Sequence, residues 1–316
     1  MIQFFTPLKN IELENFNIDF YEIIPGVNIS NNQIIKKKFL SDRNKIMIGM
    51  IESQFIESCE VFLFFDYEND AEIFAGETNL QSLEHILLWV DDILKNLWLV
   101  KDNNVLCDTA FLIHDQITPL AEAASLRLQY QLTDSKGFIG KAVFNKEEII
   151  EFSRKHDIIE NHFYSKKSGS LSFILEKNFS RINRALIFVK QAREARNLAY
   201  KISNYCSAME TLFSTDNAEL SHKLSERIAF FYKKELNPLE TFKTIKKAYA
   251  IRSKLTHGDT LDTNTIDLLP ELSKKIDNIL RRSINRIFEE KELFEIFESP
   301  KNIIDSYFET LIFSTE

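Results

Sequence analysis

Arg252 and His257 stand five positions apart in AYAIRSKLTHGD, residues 248–259 of a 316-residue chain. A guanidinium offers a planar fork of donors matched to phosphate oxygens, and an imidazole takes up or delivers a proton near neutral pH. The same segment also suits a helix end, because Lys254 and His257 place positive charge in a last turn and Gly258 is a natural left-handed cap. Five residues at about 100° each leave Arg252 and His257 about 140° apart around an ideal helix. They meet on one phosphate only at a distorted helix end or across an interface. Ser253, four residues before His257, shares its helical face.

The elements that must hold this pair read as helices. Ser180 caps RINRALIFVKQAREARNLAYKISNYCSAMETLF, in which Ile182, Leu186, Val189, Leu198, Ile202, Tyr205, Met209 and Leu212 keep near-helical spacing. One long helix is predicted there. A second is expected from about Asn217 to Lys234, and Pro238 marks the break before a third from about Thr241 to His257. Two more, at 267–290 and 300–312, complete a bundle of about five helices.

The first 80 residues have another texture. FNIDFYEII, KIMIGMIES and CEVFLFFDY are rich in β-branched and aromatic residues and are separated by PGVNISNNQ and YENDAE, which predicts strands. Between Leu83 and Val100, Ile86, Leu87, Val90, Leu94, Leu97 and Trp98 line one helical face that should pack on the sheet. Residues 101–145 are ambiguous, with AEAASLRLQYQLT read as helical and GFIGKAVF as turn and strand, and Asn145 is an N-cap for the helix that follows. SKKSGSLS, 165–172, has linker composition. The fold class expected is α+β: a mixed strand and helix domain over 1–145, of unknown role, then an all-α bundle over 146–316.

Composition excludes several function classes. With 7 Gly, 6 Pro and 27 Phe, the chain suits long regular elements and a filled core. Cys59, Cys107 and Cys206 are far apart and form no paired motif, so neither a zinc site nor a disulfide framework is expected. The N-terminus has no signal-peptide pattern, and the apolar window HILLWVDDILKNLWLV is interrupted by Asp91, Asp92 and Lys95; a cytoplasmic protein with no membrane partner is expected. Asp91 and Asp92 point to different sides of a helix and read as a solvated face. There is no phosphate-binding Gly-rich loop, no G-x-S-x-G and no H-E-x-x-H, and His156 with His162 is a weak candidate for metal.

Charge is unevenly distributed. The chain carries a formal −8, which argues against a general nucleic-acid binder. Residues 181–257 nevertheless hold 15 Lys/Arg against 7 Asp/Glu, a local +8 that leaves −16 for the rest. Arg181, Arg184, Lys190, Arg193 and Arg196 form the basic side of the first long helix. They are either a solvated face or a surface that contacts phosphates.

From Arg181 to Asp259 the sequence resembles the HEPN domains (higher eukaryotes and prokaryotes nucleotide-binding), in particular their Apea-like branch. The resemblance rests on KISNYCSAMETLFSTDNAELSHKLSERIAFF followed by AYAIRSKLTHGD, with four residues between Arg252 and His257 where the family signature has four to six. Ser253 follows the Arg, as is common in the Apea-like branch, where many active nucleases carry Asn, Asp or His. Asp259 stands where the toxin group controlled by nucleotide transfer has Tyr, so that modification is not carried over. The first 145 residues resemble regions found beside such domains, LWLVKDN most of all. No activity comes with that fragment.

The resemblance implies a helical bundle that dimerises and places two Arg/His pairs in one composite cleft, giving in active members a metal-independent endoribonuclease. Many such proteins are toxins or anti-phage effectors, and others are inactive scaffolds that bind RNA, nucleotide or protein. On this reading His257 moves the proton of the attacking 2′-hydroxyl or of the departing 5′-oxygen, and Arg252 stabilises the charge gained in the transition state. Ser253 holds the imidazole or contacts a phosphate. Glu210 either orients Arg252 or the interface, or makes an ordinary helix salt bridge. Arg181, Arg184, Lys190, Arg193, Arg196 and Lys254 are the RNA-binding candidates. No metal or cofactor is needed, and the expected products are 2′,3′-cyclic phosphate and 5′-hydroxyl ends. The partners expected are RNA, a second copy of the chain and, through the N-terminal region, a regulatory protein.

Overall fold

The computed structural model describes residues 2–67, 78–114, 122–163, 180–216 and 219–313. The chain divides into two compact units, Met1–Gln131 with Ile139–Asp157, and Leu132–Phe138 with Ile158–Glu316. The SKKSGSLS segment lies outside the described residues.

The first unit is built on an antiparallel sheet of β1 (Ile2–Leu8), β3 (Tyr21–Ile24), β4 (Val27–Ser30), β5 (Val61–Tyr67), β6 (Thr109–His114) and β7 (Glu122–Arg127), in the order β3-β4-β5-β1-β6-β7. β2 (Ile11–Leu13) and β8 (Ala142–Phe144) form a separate parallel pair. Central strand β1 is apolar in both registers because both its faces are covered. Phe4 stacks on Phe65 at 4.7 Å within the core that includes Leu83, Leu87 and Val90 of α4 (Asn79–Lys95). Phe5, pointing the other way, stacks at 4.7 Å on Phe39 and on Phe62. Phe39 and Ile56 on that side come from α1 (Gln33–Phe39) and α3 (Met50–Ser58), with α2 (Asp42–Ile48) between those helices in sequence. α5 (Lys146–Phe163) starts at Asn145, whose side chain accepts from Glu148 N at 2.9 Å while the Glu148 carboxylate accepts from Asn145 N at 3.0 Å. The division between the units falls within this helix.

Three local readings change here. KIMIGMIES is helical: Ser41 caps α2, and Gly49, at φ 102°, joins α2 to α3. Its apolar residues do not alternate inward, since Ile46, Met50 and Ile51 are 84%, 78% and 78% exposed. AEAASLRLQYQLT supplies edge strand β7. Asp91 is buried, not solvated, and accepts hydrogen bonds from the Tyr130 hydroxyl and Lys95, while Asp92 is exposed. His156 is buried too, with Nδ1 against the Asn96 amide at 2.9 Å, and burial lowers its pKa. The side chain of His162 is outside the described part. No three His, Cys, Asp or Glu side chains among the described residues gather as a metal site.

The second unit is helical: α6 (Arg181–Glu194), α7 (Leu198–Phe213), α8 (Leu220–Phe231), α9 (Pro238–His257), α10 (Thr263–Glu289), α11 (Lys291–Phe297) and α12 (Lys301–Phe313). The single helix expected over Ser180–Phe213 is two. Ala195 is extended, and the Asn197 side chain caps a new start by accepting from Ala199 N and Tyr200 N at 2.9 and 3.3 Å. Fully buried Lys201 then donates to the Ala192 carbonyl at 2.7 Å, neutralising the end of α6. α7 packs on α6, α9 and α10, burying Ile202, Tyr205, Met209 and Leu212, and α8 packs on α9 and α12. Phe213 holds Phe231, Phe297 and Phe308 around it with ring centroids at 5.4, 5.6 and 5.9 Å. Among the described residues, no helix is long and apolar enough to cross a membrane.

One buried carboxylate ties α7 to α10. Asp277, 1% exposed, accepts from the Tyr205 hydroxyl at 2.7 Å and pairs with Arg281 at 2.9 Å. Removing it takes a charged partner from a buried hydroxyl and a largely buried guanidinium. Asp277→Ala is expected to cost about 3 kcal/mol and to lower the melting temperature by about 6–12 °C in calorimetry. An unchanged melting temperature would show that the pair does not hold the two helices together.

Candidate functional site

The candidate residues lie on α9, whose limits follow from local chemistry. The Asn237 side chain accepts from Glu240 N at 3.1 Å and Pro238 occupies the first turn, where its missing N–H costs nothing. Thr241, Ile245, Ala248 and Ile251 form the buried face. The helix ends at Gly258, with φ 74° and ψ 19°, where Gly258 N and Asp259 N donate to the Leu255 and Lys254 carbonyls at 3.4 and 2.9 Å. His257 is therefore the last helical residue. Helix-end punctuation and a candidate site coincide there.

Arg252 reaches across to α7. Its Nη2 donates to Glu210 Oε2 at 3.1 Å and its Nη1 donates to the Tyr249 hydroxyl at 3.1 Å, with the guanidinium carbon 5.2 Å from the Tyr249 ring centre. The Arg252 and Glu210 side chains are 27% and 18% exposed. A guanidinium has five N–H donors. Two are committed in these bonds, which leaves donors on a partly exposed side chain for a phosphate oxygen. The role of Tyr249 is not marked in the sequence, because it depends on where the Arg252 guanidinium lies in the fold. The only signal is its position three residues before Arg252, on a neighbouring part of the same helix.

Burial raises the pKa of Glu210, outweighing the opposing pull of Arg252 and Tyr249, and burial also pushes the Tyr249 hydroxyl up. Burial with a smaller contribution from Glu210 pushes the neighbouring Cys206 thiol to about 12, so Cys206 is an inert core residue. A carboxyl whose folded pKa exceeds its unfolded one weighs on stability once it ionises, and that burden lifts as pH falls below the folded value. Wild type should therefore gain in melting temperature relative to Glu210→Gln as pH drops through the carboxylate range. Parallel melting curves for the two proteins from pH 7 to pH 4 would contradict this.

His257 is exposed and Ser253 half-buried, and neither side chain has a hydrogen-bond or ionic partner among the described residues. Lys254 donates to the Thr260 carbonyl at 3.5 Å. Comparison with protein-family models, curated proteins and solved structures gives no match to this chain.

The RNA-binding candidates on α6 do not form one surface. Arg181 Nη1 donates to the Thr211, Leu212 and Ser214 carbonyls at 3.0, 3.4 and 2.7 Å, closing the end of α7, and burial lowers its pKa. Arg193 is 3% exposed. Arg193 is corrected to a structural residue, since a buried guanidinium cannot meet a backbone phosphate, and half-buried Arg181 is corrected because its guanidinium is turned onto backbone carbonyls. Arg184 and Lys190 are half-buried, and Arg196 is exposed between α6 and α7. α6 packs mainly on α7 and makes at most marginal contact with α9, so these residues are not gathered around Arg252.

Proposed function

We propose that this protein is a HEPN-type, metal-independent endoribonuclease of the Apea-like branch that acts as a homodimer, in the manner of toxins and anti-phage effectors. The observation that carries the reading is an Arg252 guanidinium anchored by Glu210 and Tyr249, with donors to spare, on the same helix as an exposed and unpartnered His257. The N-terminal sheet unit is assigned no chemistry and fits a sensing or restraining role.

RNA carries its own nucleophile. The 2′-hydroxyl attacks the adjacent phosphorus, the bond to the 5′-oxygen breaks, and a 2′,3′-cyclic phosphate and a 5′-hydroxyl result. His257 takes the proton from the nucleophile or gives one to the leaving oxygen. Arg252 meets the nonbridging oxygens as their charge grows. Tyr249 and Glu210 keep the guanidinium from swinging away, which is positioning rather than chemistry.

The separation of about 140° between Arg252 and His257 on α9 is relieved when two copies meet, because residues near a two-fold axis appear twice in one cleft. The test uses a DNA oligonucleotide holding a single ribonucleotide, with chelator present. Scission only on the 3′ side of the ribonucleotide supports the reading, and an uncut strand or cuts elsewhere oppose it.

The second reading is a catalytically inactive scaffold that binds RNA, nucleotide or protein. It is favoured by the Glu210 carboxylate, which already neutralises Arg252 in the free protein. Binding of RNA that weakens with salt, with no cleavage of any strand, selects it.

A further inference from the structure

α9 carries more than the Arg/His pair. Over residues 241–257 it holds Lys243, Lys246, Lys247, Arg252 and Lys254, and no acidic residue. Phe242, Lys246, Tyr249, Ser253 and His257 follow at steps of four, three, four and four, which confines them to an arc of about 80° along about 22 Å of helix. The core face, with Thr241, Ile245, Ala248 and Ile251, points elsewhere. Lys246 and His257 are exposed, and Phe242, Tyr249 and Ser253 are half-buried.

The two aromatic residues on this arc are each paired with a cation. Lys246 Nζ lies 5.6 Å from the Phe242 ring centre, and the Arg252 guanidinium carbon 5.2 Å from that of Tyr249. Exposed His222 of α8 meets Phe242 edge to face at 5.3 Å. The angular gap between Arg252 and His257 is filled by Tyr249, about 60° from one and about 80° from the other. Aromatic side chains interleaved with cations along one accessible line are the means by which proteins bind single strands: rings stack on unpaired bases and cations follow the backbone. A duplex hides its base faces and offers nothing to stack.

We infer that the open face of α9 is a track for single-stranded RNA, in which Phe242 and Tyr249 stack on bases and Lys246, together with Arg252, meets the phosphates leading to His257. The track rests on the nuclease reading for its role as substrate channel, though its binding can be measured without cleavage. It also replaces α6 as the principal RNA-contacting surface.

The test uses the full chain and a fluorescent 2′-O-methyl oligonucleotide, which cannot be cut because its 2′-oxygen is blocked, beside a hairpin duplex of equal length. Wild type should prefer the single strand. Phe242→Leu should weaken binding about tenfold, as expected for one lost stack. Lys246→Ala, at an exposed position that leaves the core alone, should flatten the slope of log affinity against log salt by about 0.7, one phosphate contact. Equal affinity for duplex and single strand, or wild-type binding and an unaltered salt slope in Lys246→Ala, overturns the track. If the blocked strand binds as described but an unblocked strand is never cut, the track stands and the nuclease reading falls. If His257-dependent cleavage occurs while both variants bind and cut like wild type, the nuclease reading stands and the track falls.

Discussion

His257→Ala should lower the rate of RNA cleavage about 1,000-fold or more, while leaving the fold and the affinity for a blocked RNA almost unchanged. Proton transfer by a placed side chain contributes about 10²–10⁴ in rate, and in a composite cleft one substitution removes the imidazole from both subunits. The side chain is exposed and unpartnered, so its loss empties no cavity and strands no buried group. Its structural effect is confined to the last turn of α9, beside the Gly258 cap. Single-turnover cleavage compared with calorimetry separates the two effects. A large fall in melting temperature would mean that His257 is a structural cap first.

Arg252→Ala should cost about 10²–10³ in rate, the usual penalty for removing a donor that meets developing charge. It should also destabilise the protein by about 1–3 kcal/mol, because the Glu210 carboxylate is left partly buried without its cation. The two losses are separable. Adding Glu210→Gln to Arg252→Ala removes the stranded charge and should restore the melting temperature, yet leave the rate low. Arg252→Lys keeps the charge but not the planar fork, and should fall between wild type and Arg252→Ala in rate. Recovery of both stability and rate in the double variant would reduce Arg252 to a packing residue.

The parts of this structure that are legible in the sequence are those set by short-range chemistry. Asn145, Ser180 and Gly258 announce helix ends because each acts on backbone groups within a few residues. The α4 face is legible because one stripe meets one sheet. KIMIGMIES is not, because its apolar side chains serve neither a strand's alternation nor a buried helical face, and only the cap at Ser41 and the turn at Gly49 mark the helices. The corner between α6 and α7 hides in a run whose apolar spacing continues across it, and buried Lys201 seals it from nine positions beyond Ala192.

At the candidate site, spacing places Ser253 and His257 on neighbouring parts of one face but says nothing of what lies across from Arg252. That information is tertiary: Glu210 comes from α7, 42 positions earlier. Arg181 shows the reverse problem. Its side chain looks like part of a basic surface until the end of α7, 30 to 33 positions later, is folded against it.

The most direct measurement is cleavage of end-labelled RNA in chelator by the purified protein beside His257→Ala, at catalytic concentrations, with the product ends identified. The expected result is 2′,3′-cyclic phosphate and 5′-hydroxyl ends from wild type and intact RNA with the variant. Equal activity of the two proteins, equal inactivity, or 5′-phosphate ends would contradict a nuclease built on Arg252 and His257.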